Sequence, residues 1–232
     1  EIAYGHVTRH YRFDNYLNRC CENYPTHELG PIAKLLDINR GNRIMTVSSF
    51  ASKSAGLSEY IKTRVDATDE MKAANFAQGD IITTVLTCAR GETILLRLDT
   101  TLPRSYSRDF TVRGTKGLYM QDTNSVFLDG DEESFEPVEY YKKALNNAVK
   151  FEDEYLPGIW KNVTEETLKA GHGGMDWFAY MGFTDALING EEMPVDVYDA
   201  ATWQAVAVLS EMSIKQGGAP QIMPCLLYTS PS

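Results

Sequence analysis

The sequence predicts an α+β fold, a two-layer α/β arrangement with an open, mostly antiparallel sheet and helices on one face. Three observations predict it. Residues 80–100 read DIITTVLTCA, then Arg90-Gly91, then ETILLRLDTT, which is two β-rich runs around a two-residue turn and so a hairpin. After residue 130 the apolar pattern changes from period two to helical, with helices expected near 138–154, 164–170, 175–188 and 197–215. A helix over 25–38 precedes the strands, so the order is helix, antiparallel meander, helices.

Taken in order, residues 1–22 are basic and aromatic (His6, Arg9, His10, Tyr11, Arg12, Tyr16, Arg19) and read as an irregular arm packed on a neighbour. In 25–38, Pro25 suits a first turn and Thr26 can cap backbone amides. Leu29, Ile32, Ala33, Leu35 and Leu36 then recur at helical spacing, and Gly41 stops the helix. Residues 43–51 look like a strand and 57–63 like a short helix. The long apolar runs of the hairpin ask for at least one covered sheet face. A proline-containing link leads to strands near 108–113 and 117–121, with Gly114 and Gly117 at the corner, and 126–128 adds an edge. An acidic loop from Asp129 to Glu136 reads as solvated. The last residues, 225–232, lack periodicity and turn logic and resemble translated adapter sequence, so they are set aside as an artefact.

The formal charge of -10 offers no basic stripe for nucleic acid and no attraction to an anionic membrane. No apolar run reaches membrane-spanning length, so no membrane insertion is expected. Four cysteines, two of them adjacent (Cys20, Cys21), make neither a disulfide framework nor a metal pattern. Cys88 falls in an apolar strand, where it packs. The four histidines show no H-x-x-x-H or H-E-x-x-H spacing, so no metal site is expected. No G-x-G-x-x-G stands on a strand–turn–helix unit, so the chain carries no dinucleotide fold of its own. The chain opens at Glu1 without a methionine, so an export signal could precede it, and the compartment stays open between cytoplasmic and exported.

Three stretches can carry chemistry. Tyr24 and His27 are three apart at a helix mouth, so they project to one side; a helix-capping aromatic beside a half-buried histidine is the plain alternative. Tyr106 sits in a link between strands, where a rigid sheet can hold a functional side chain, or where a tyrosine can cover the sheet edge. Gly171-His172-Gly173-Gly174-Met175-Asp176 precedes an apolar helix, either letting backbone approach a ligand or making a flexible start. Asp99 and Asp176 make no evident acid/base pair, so a two-carboxylate glycosidase does not follow.

Together, Asn-Tyr-Pro-Thr-His-Glu-Leu-Gly-Pro-Ile (23–32), Asn39-Arg40-Gly41-Asn42-Arg43, Asp99-Thr-Thr-Leu-Pro-Arg-Ser-Tyr-Ser-Arg108, Gly114-Thr115-Lys116-Gly117 and Gly171-His-Gly-Gly-Met-Asp176 resemble one family. It is that of the NAD-dependent α-N-acetylgalactosaminidase-type glycoside hydrolases of the Gfo/Idh/MocA superfamily, over residues 10–224. The resemblance implies an N-terminal Rossmann domain that holds NAD and is missing from this sequence. Residues 1–22 are then an arm of that domain, and 23–224 the C-terminal substrate-binding and oligomerisation domain. Its open sheet face implies a homo-oligomer.

In that family the sugar's C3 hydroxyl is transiently oxidised, the C2 proton is removed by a tyrosine, the glycosidic oxygen leaves and water adds. By motif match, Tyr24, His27 and Tyr106 are implied sugar contacts, with Asn23, His172 and Asp176 beside them. His27 also falls where related dehydrogenases place a catalytic histidine. Those dehydrogenases carry D-x-x-x-H, whereas Asn23 stands here in place of the aspartate. The family's tyrosine base and an acidic substrate contact fall before Glu1. The expected parent is a glycosidase of N-acetylgalactosaminides or related glycosides. A sugar or polyol dehydrogenase, or a non-catalytic sugar-binding and oligomerising fragment, are the alternatives, and the fragment alone is expected to be inactive.

Overall fold

Alternation of buried and half-buried residues makes the hairpin the spine of the structure. The computed structural model describes residues 11–131, 137–161 and 163–226. In chain order these give α1 (Tyr11–Asn18), α2 (Pro25–Leu35), β1 (Ile44–Ala51), α3 (Ala55–Lys62), α4 (Asp69–Lys72), β2 (Ile81–Cys88) and β3 (Thr93–Asp99). There follow β4 (Thr111–Arg113), β5 (Gly117–Met120), β6 (Ser125–Leu128), α5 (Pro137–Ala144), α6 (Glu152–Tyr155), α7 (Gly158–Lys161), α8 (Glu165–Lys169) and α9 (Met175–Asn189). α10 (Val197–Lys215) and β7 (Gln221–Ile222) close the chain. Contacts cluster in two units, Glu1–Arg104 with Val195–Ser232, and Ser105–Pro194. In the chain the second unit lies between β3 and α10.

In the first unit the sheet runs β3-β2-β1-β7, every pair antiparallel. One face is apolar: Val47, Leu86 and Ile94 lie in one cross-strand row, and Ser49, Thr84 and Leu96 in the next. The Ser49 and Thr84 hydroxyls meet at 2.8 Å, so the polar pair inside that face is satisfied. α2 and α10 cover this face through Leu29, Ala33, Trp203, Val206 and Leu209. Fully burying a leucine or valine such as Leu29 or Val206 stabilises by roughly 1.5–3 kcal/mol. The opposite face, with Thr46, Ser48, Phe50, Thr83, Val85, Leu95 and Arg97, is the open one.

Three sequence expectations change. The basic, aromatic segment is not an irregular arm throughout: Tyr11–Asn18 is helical, and Phe13 and Tyr16 pack with Leu57, Ile61 and Phe76. His6, Arg9 and His10 lie outside the described residues. α2 ends at Leu35 rather than 38, because Asp37 and Asn39 take positive φ and Asn42 turns back to bond Asp37. Its N-cap is Tyr24, with no side-chain cap, and Thr26 lies inside the helix; Leu35, expected in the core, is 55% exposed.

In the second unit β4-β5-β6 form a separate antiparallel sheet, where the sequence suggested one meander. Gly114 and Gly117 do make the corner, the Gly114 N–H donating to the Gly117 carbonyl at 2.8 Å. Asn147 pins β6 by exchanging two bonds of 2.7 Å with Val126. The helix expected over 138–154 is broken into α5, a 3-10 turn at Asn147–Phe151 and α6, since Asn146 takes a left-handed conformation. Of the acidic loop, 132–136 lie outside the described residues, as do 227–232 of the tail. Among the described residues no helix is long and apolar enough to cross a membrane.

Candidate active-site face

α2 begins at Pro25, whose ring pre-sets the first turn and whose missing N–H removes an amide that would be unbonded there. This fixes Tyr24 and His27 on one side. Their rings stack at 4.2 Å and 23°, and Tyr24 Oη shares a hydrogen bond of 3.1 Å with His27 Nε2. His27 is exposed and Tyr24 half-buried. Arg12 of α1 lies over the Tyr24 ring, its guanidinium carbon 4.6 Å from the centroid. Its place in a basic aromatic segment was visible in the sequence, but its partner was not, because the contact joins two elements. A cavity of about 250 Å³ opens beside them, lined by Asn15, Arg19, Asn23, Tyr24, Thr26 and Gln78 among others.

Beneath this face the chemistry is acidic. Glu22 is fully buried, its Oε1 accepts from the Tyr24 N–H at 3.3 Å, and its own N–H donates to Ser210 Oγ at 2.8 Å. Burial raises the Glu22 carboxyl above its ordinary range, and the Glu28 charge raises it further. Burial raises Glu28 as well. Glu22 Oε2, Glu28 Oε2 and Asn23 Nδ2 are buried without a hydrogen-bond partner. Asn23 therefore does not hold His27 through its amide nitrogen. The sequence reading passed over Glu22 and Glu28, since acidic residues at a helix start usually face water.

Tyr106, His172 and Asp176 belong to the second unit. Tyr106 stands in an extended link and is 85% exposed, so it does not cover a sheet edge. His172 Nδ1 meets both Asp176 oxygens, at 2.8 and 3.0 Å, and both residues are exposed. Gly171 makes room for this pair, because a Cβ there would lie 2.1 Å from Asp176 Oδ2. The structure thus brings Tyr24 to His27 and His172 to Asp176, in two units each described by itself.

Other stretches singled out in the sequence have structural work. Arg40 clasps the buried Asp199 of α10 with two bonds, 2.8 and 2.9 Å, and Asn39 adds a third at 3.3 Å. Asn42 bonds the Leu36 carbonyl and Glu92, tying the end of α2 to the hairpin. Asp99 accepts from the Leu102 N–H at 3.2 Å and pairs with Arg104 at 3.2 Å, shaping the exit from β3.

Comparison with known proteins adds a lineage to this geometry. Residues 3–229 match the family described as glycosyl hydrolase 109, C-terminal domain. The chain is 42% identical over 205 residues to a glycosyl hydrolase family 109 protein of Stenotrophomonas maltophilia, covering 88% of this chain and 43% of that protein. It is 38% identical over 212 residues to an alpha-N-acetylgalactosaminidase of Tannerella forsythia, covering 90% and 43%. It is 33% identical over 211 residues to an alpha-N-acetylgalactosaminidase of Shewanella oneidensis, covering 90% and 45%. The chain spans less than half the length of these relatives.

Proposed function

The chain belongs to glycosyl hydrolase family 109, as its C-terminal domain, and from that premise we propose that it supplies the sugar-binding face of a glycosidase acting on N-acetylgalactosaminides or related glycosides. The observation that carries the reading is the hydrogen-bonded Tyr24–His27 stack at the exposed mouth of α2. The names of two relatives, both alpha-N-acetylgalactosaminidases, supply the substrate class. The cavity beside Tyr24, about 250 Å³, is smaller than the roughly 300–1,000 Å³ of a complete ligand pocket, which fits a site built only in part by this chain.

The proposed cofactor is NAD, held by residues outside this chain. The described sheets are antiparallel and offer no strand–glycine loop–helix to cradle a pyrophosphate. When bound, NAD supplies transient oxidation at C3 of the sugar, which acidifies the neighbouring C2 proton. The residues of this chain do the rest of their work by position and proton transfer. A sugar hydroxyl that donates to Tyr24 Oη passes its proton to His27 Nε2, and the same pair returns it. Arg12 keeps the Tyr24 ring in place and its cation favours the more electron-rich ring. Tyr106, Asn23, His172 and Asp176 are proposed further substrate contacts. Asn23 cannot stabilise a histidine cation as an aspartate would, which favours hydrolysis over net dehydrogenation.

A second copy of the chain is the proposed cover of the open sheet face, where Leu95 is 57% and Phe50 56% exposed. The activity is tested by assaying the full-length parent on an aryl α-N-acetylgalactosaminide with and without NAD. Aryl release that requires NAD without net reduction supports the reading. Net reduction of NAD by the free sugar, without aryl release, makes the protein a sugar or polyol dehydrogenase.

A further inference from the structure

We propose that Glu22 is a positioning residue for the candidate site: held from α10, its carboxyl fixes the peptide before Tyr24 and, through it, the Tyr24–His27 hydrogen bond. A run of hydrogen bonds reaches from the core to the exposed pair. Ser210 of α10 is fully buried, and its hydroxyl donates to the Ala207 carbonyl at 2.9 Å. The same oxygen accepts from the Glu22 N–H at 2.8 Å. Glu22 Oε1 accepts from the Tyr24 N–H at 3.3 Å, and Tyr24 Oη shares its hydrogen bond of 3.1 Å with His27 Nε2. Cys21, just before, is clamped by Gln78, which accepts from its N–H and donates to its carbonyl, both at 3.1 Å. The segment that enters the turn is therefore held from two sides, by Gln78 ahead of β2 and by Ser210 in α10.

The start of α2 explains why such a hold is needed. Tyr24 is the N-cap, at φ -138° and ψ 44°, with no side-chain cap. The first amides of a helix have no partner within it, and the Tyr24 N–H is one of them. The direction of the Tyr24 ring follows from the peptides on either side of its Cα. Pro25 restricts the one that follows through its ring, and the Glu22 carboxyl bonds the one that precedes. A carboxyl oxygen accepts this bond with or without a proton on the group, so the hold does not depend on charge. Glu22 is also fully buried, and burying a carboxyl is costly. Packing alone would be served as well by an apolar side chain of that length. The acceptor is what such a side chain would lack.

Only the step from geometry to rate rests on the reading of Tyr24 and His27 as substrate contacts. The test compares the wild type with Glu22→Met, which keeps the length of the side chain and removes the acceptor, and Glu22→Gln, which keeps both. In this chain, exchange of the Tyr24 amide proton and the His27 ring nitrogens are followed by NMR. The Tyr24 amide should exchange about tenfold faster in E22M, with the His27 Nε2 signal displaced, and E22Q should return both toward the wild type. In the full-length enzyme, E22M should lower kcat on an aryl α-N-acetylgalactosaminide by about tenfold or more, with a smaller change in KM. E22Q should recover most of that loss, which a merely structural role would not require. Ser210→Ala releases Glu22 from α10 and should move the same two signals in the same direction; it decides the matter where E22M does not fold. Wild-type Tyr24 exchange and His27 signals in the variant overturn the proposal, whatever its stability. Displaced signals with unchanged kcat, while His27→Ala is impaired, overturn it too. Displaced signals with His27→Ala at wild-type activity support Glu22 as the residue that holds the pair and sink instead the reading of the pair as substrate contacts.

Discussion

His27 and Tyr24 divide the work of one hydrogen bond, and substitutions separate their shares. His27→Ala removes the proton acceptor and should lower kcat of the full-length enzyme by about 10²-fold or more on an aryl N-acetylgalactosaminide. Tyr24→Phe keeps the ring stack and the Arg12 contact but loses Oη, the atom through which the sugar proton passes, so kcat should fall by a similar factor while the ring contacts persist. Equal activity in both variants and the wild type would remove the pair from the mechanism. The Tyr24–His27 contact was legible because residues three apart at a helix start face one way, whatever the rest of the fold does. Arg12 over Tyr24 was not legible, since it depends on how α1 packs through Phe13 and Tyr16. Nor was the burial of Glu22, which depends on Ser210 from a helix far along the chain.

At the level of elements, α10 is held to the turn after α2 by charge as well as by packing. Asp199 is almost fully buried, which alone would raise its carboxyl; bonds from Arg40, Asp196 and Asn39 outweigh this and hold it below the ordinary range. The sign follows: the stabilisation is present above the unfolded pKa and is lost as pH falls through the folded one. Asp199→Asn should cost about 2 kcal/mol in denaturant unfolding near neutral pH. That is less than a wholly buried pair would lose, because Arg40 is a third exposed. Gly79, just before β2, is a second constraint: a Cβ there would lie 2.3 Å from the Ser52 carbonyl oxygen. Gly79→Ala should therefore destabilise by about 1–3 kcal/mol, read as a lower midpoint of unfolding. The hairpin and α10 were readable because β alternation and a helical apolar period are local signals. The division into two sheets was not, since nothing local in β4, β5 and β6 says whether they extend the first sheet or make their own.

For the whole molecule, the open sheet face is the surface proposed for self-association. Leu95→Asp puts a charge in the middle of the proposed interface and should shift sedimentation toward the monomer, with unchanged unfolding by circular dichroism. An unchanged sedimentation coefficient would overturn association through this face. The order of the chain has one more consequence, for synthesis. The apolar face made by β1, β2 and β3 is closed by α10, and residues 105–194 are translated in between. At about 5–20 residues per second the part of this face that α10 covers stays bare for several seconds on the ribosome, although α2 and the strands are complete. Ribosome-bound chains stalled before residue 195 are thus the state most in need of a chaperone, and release of α10 is the event that ends that need.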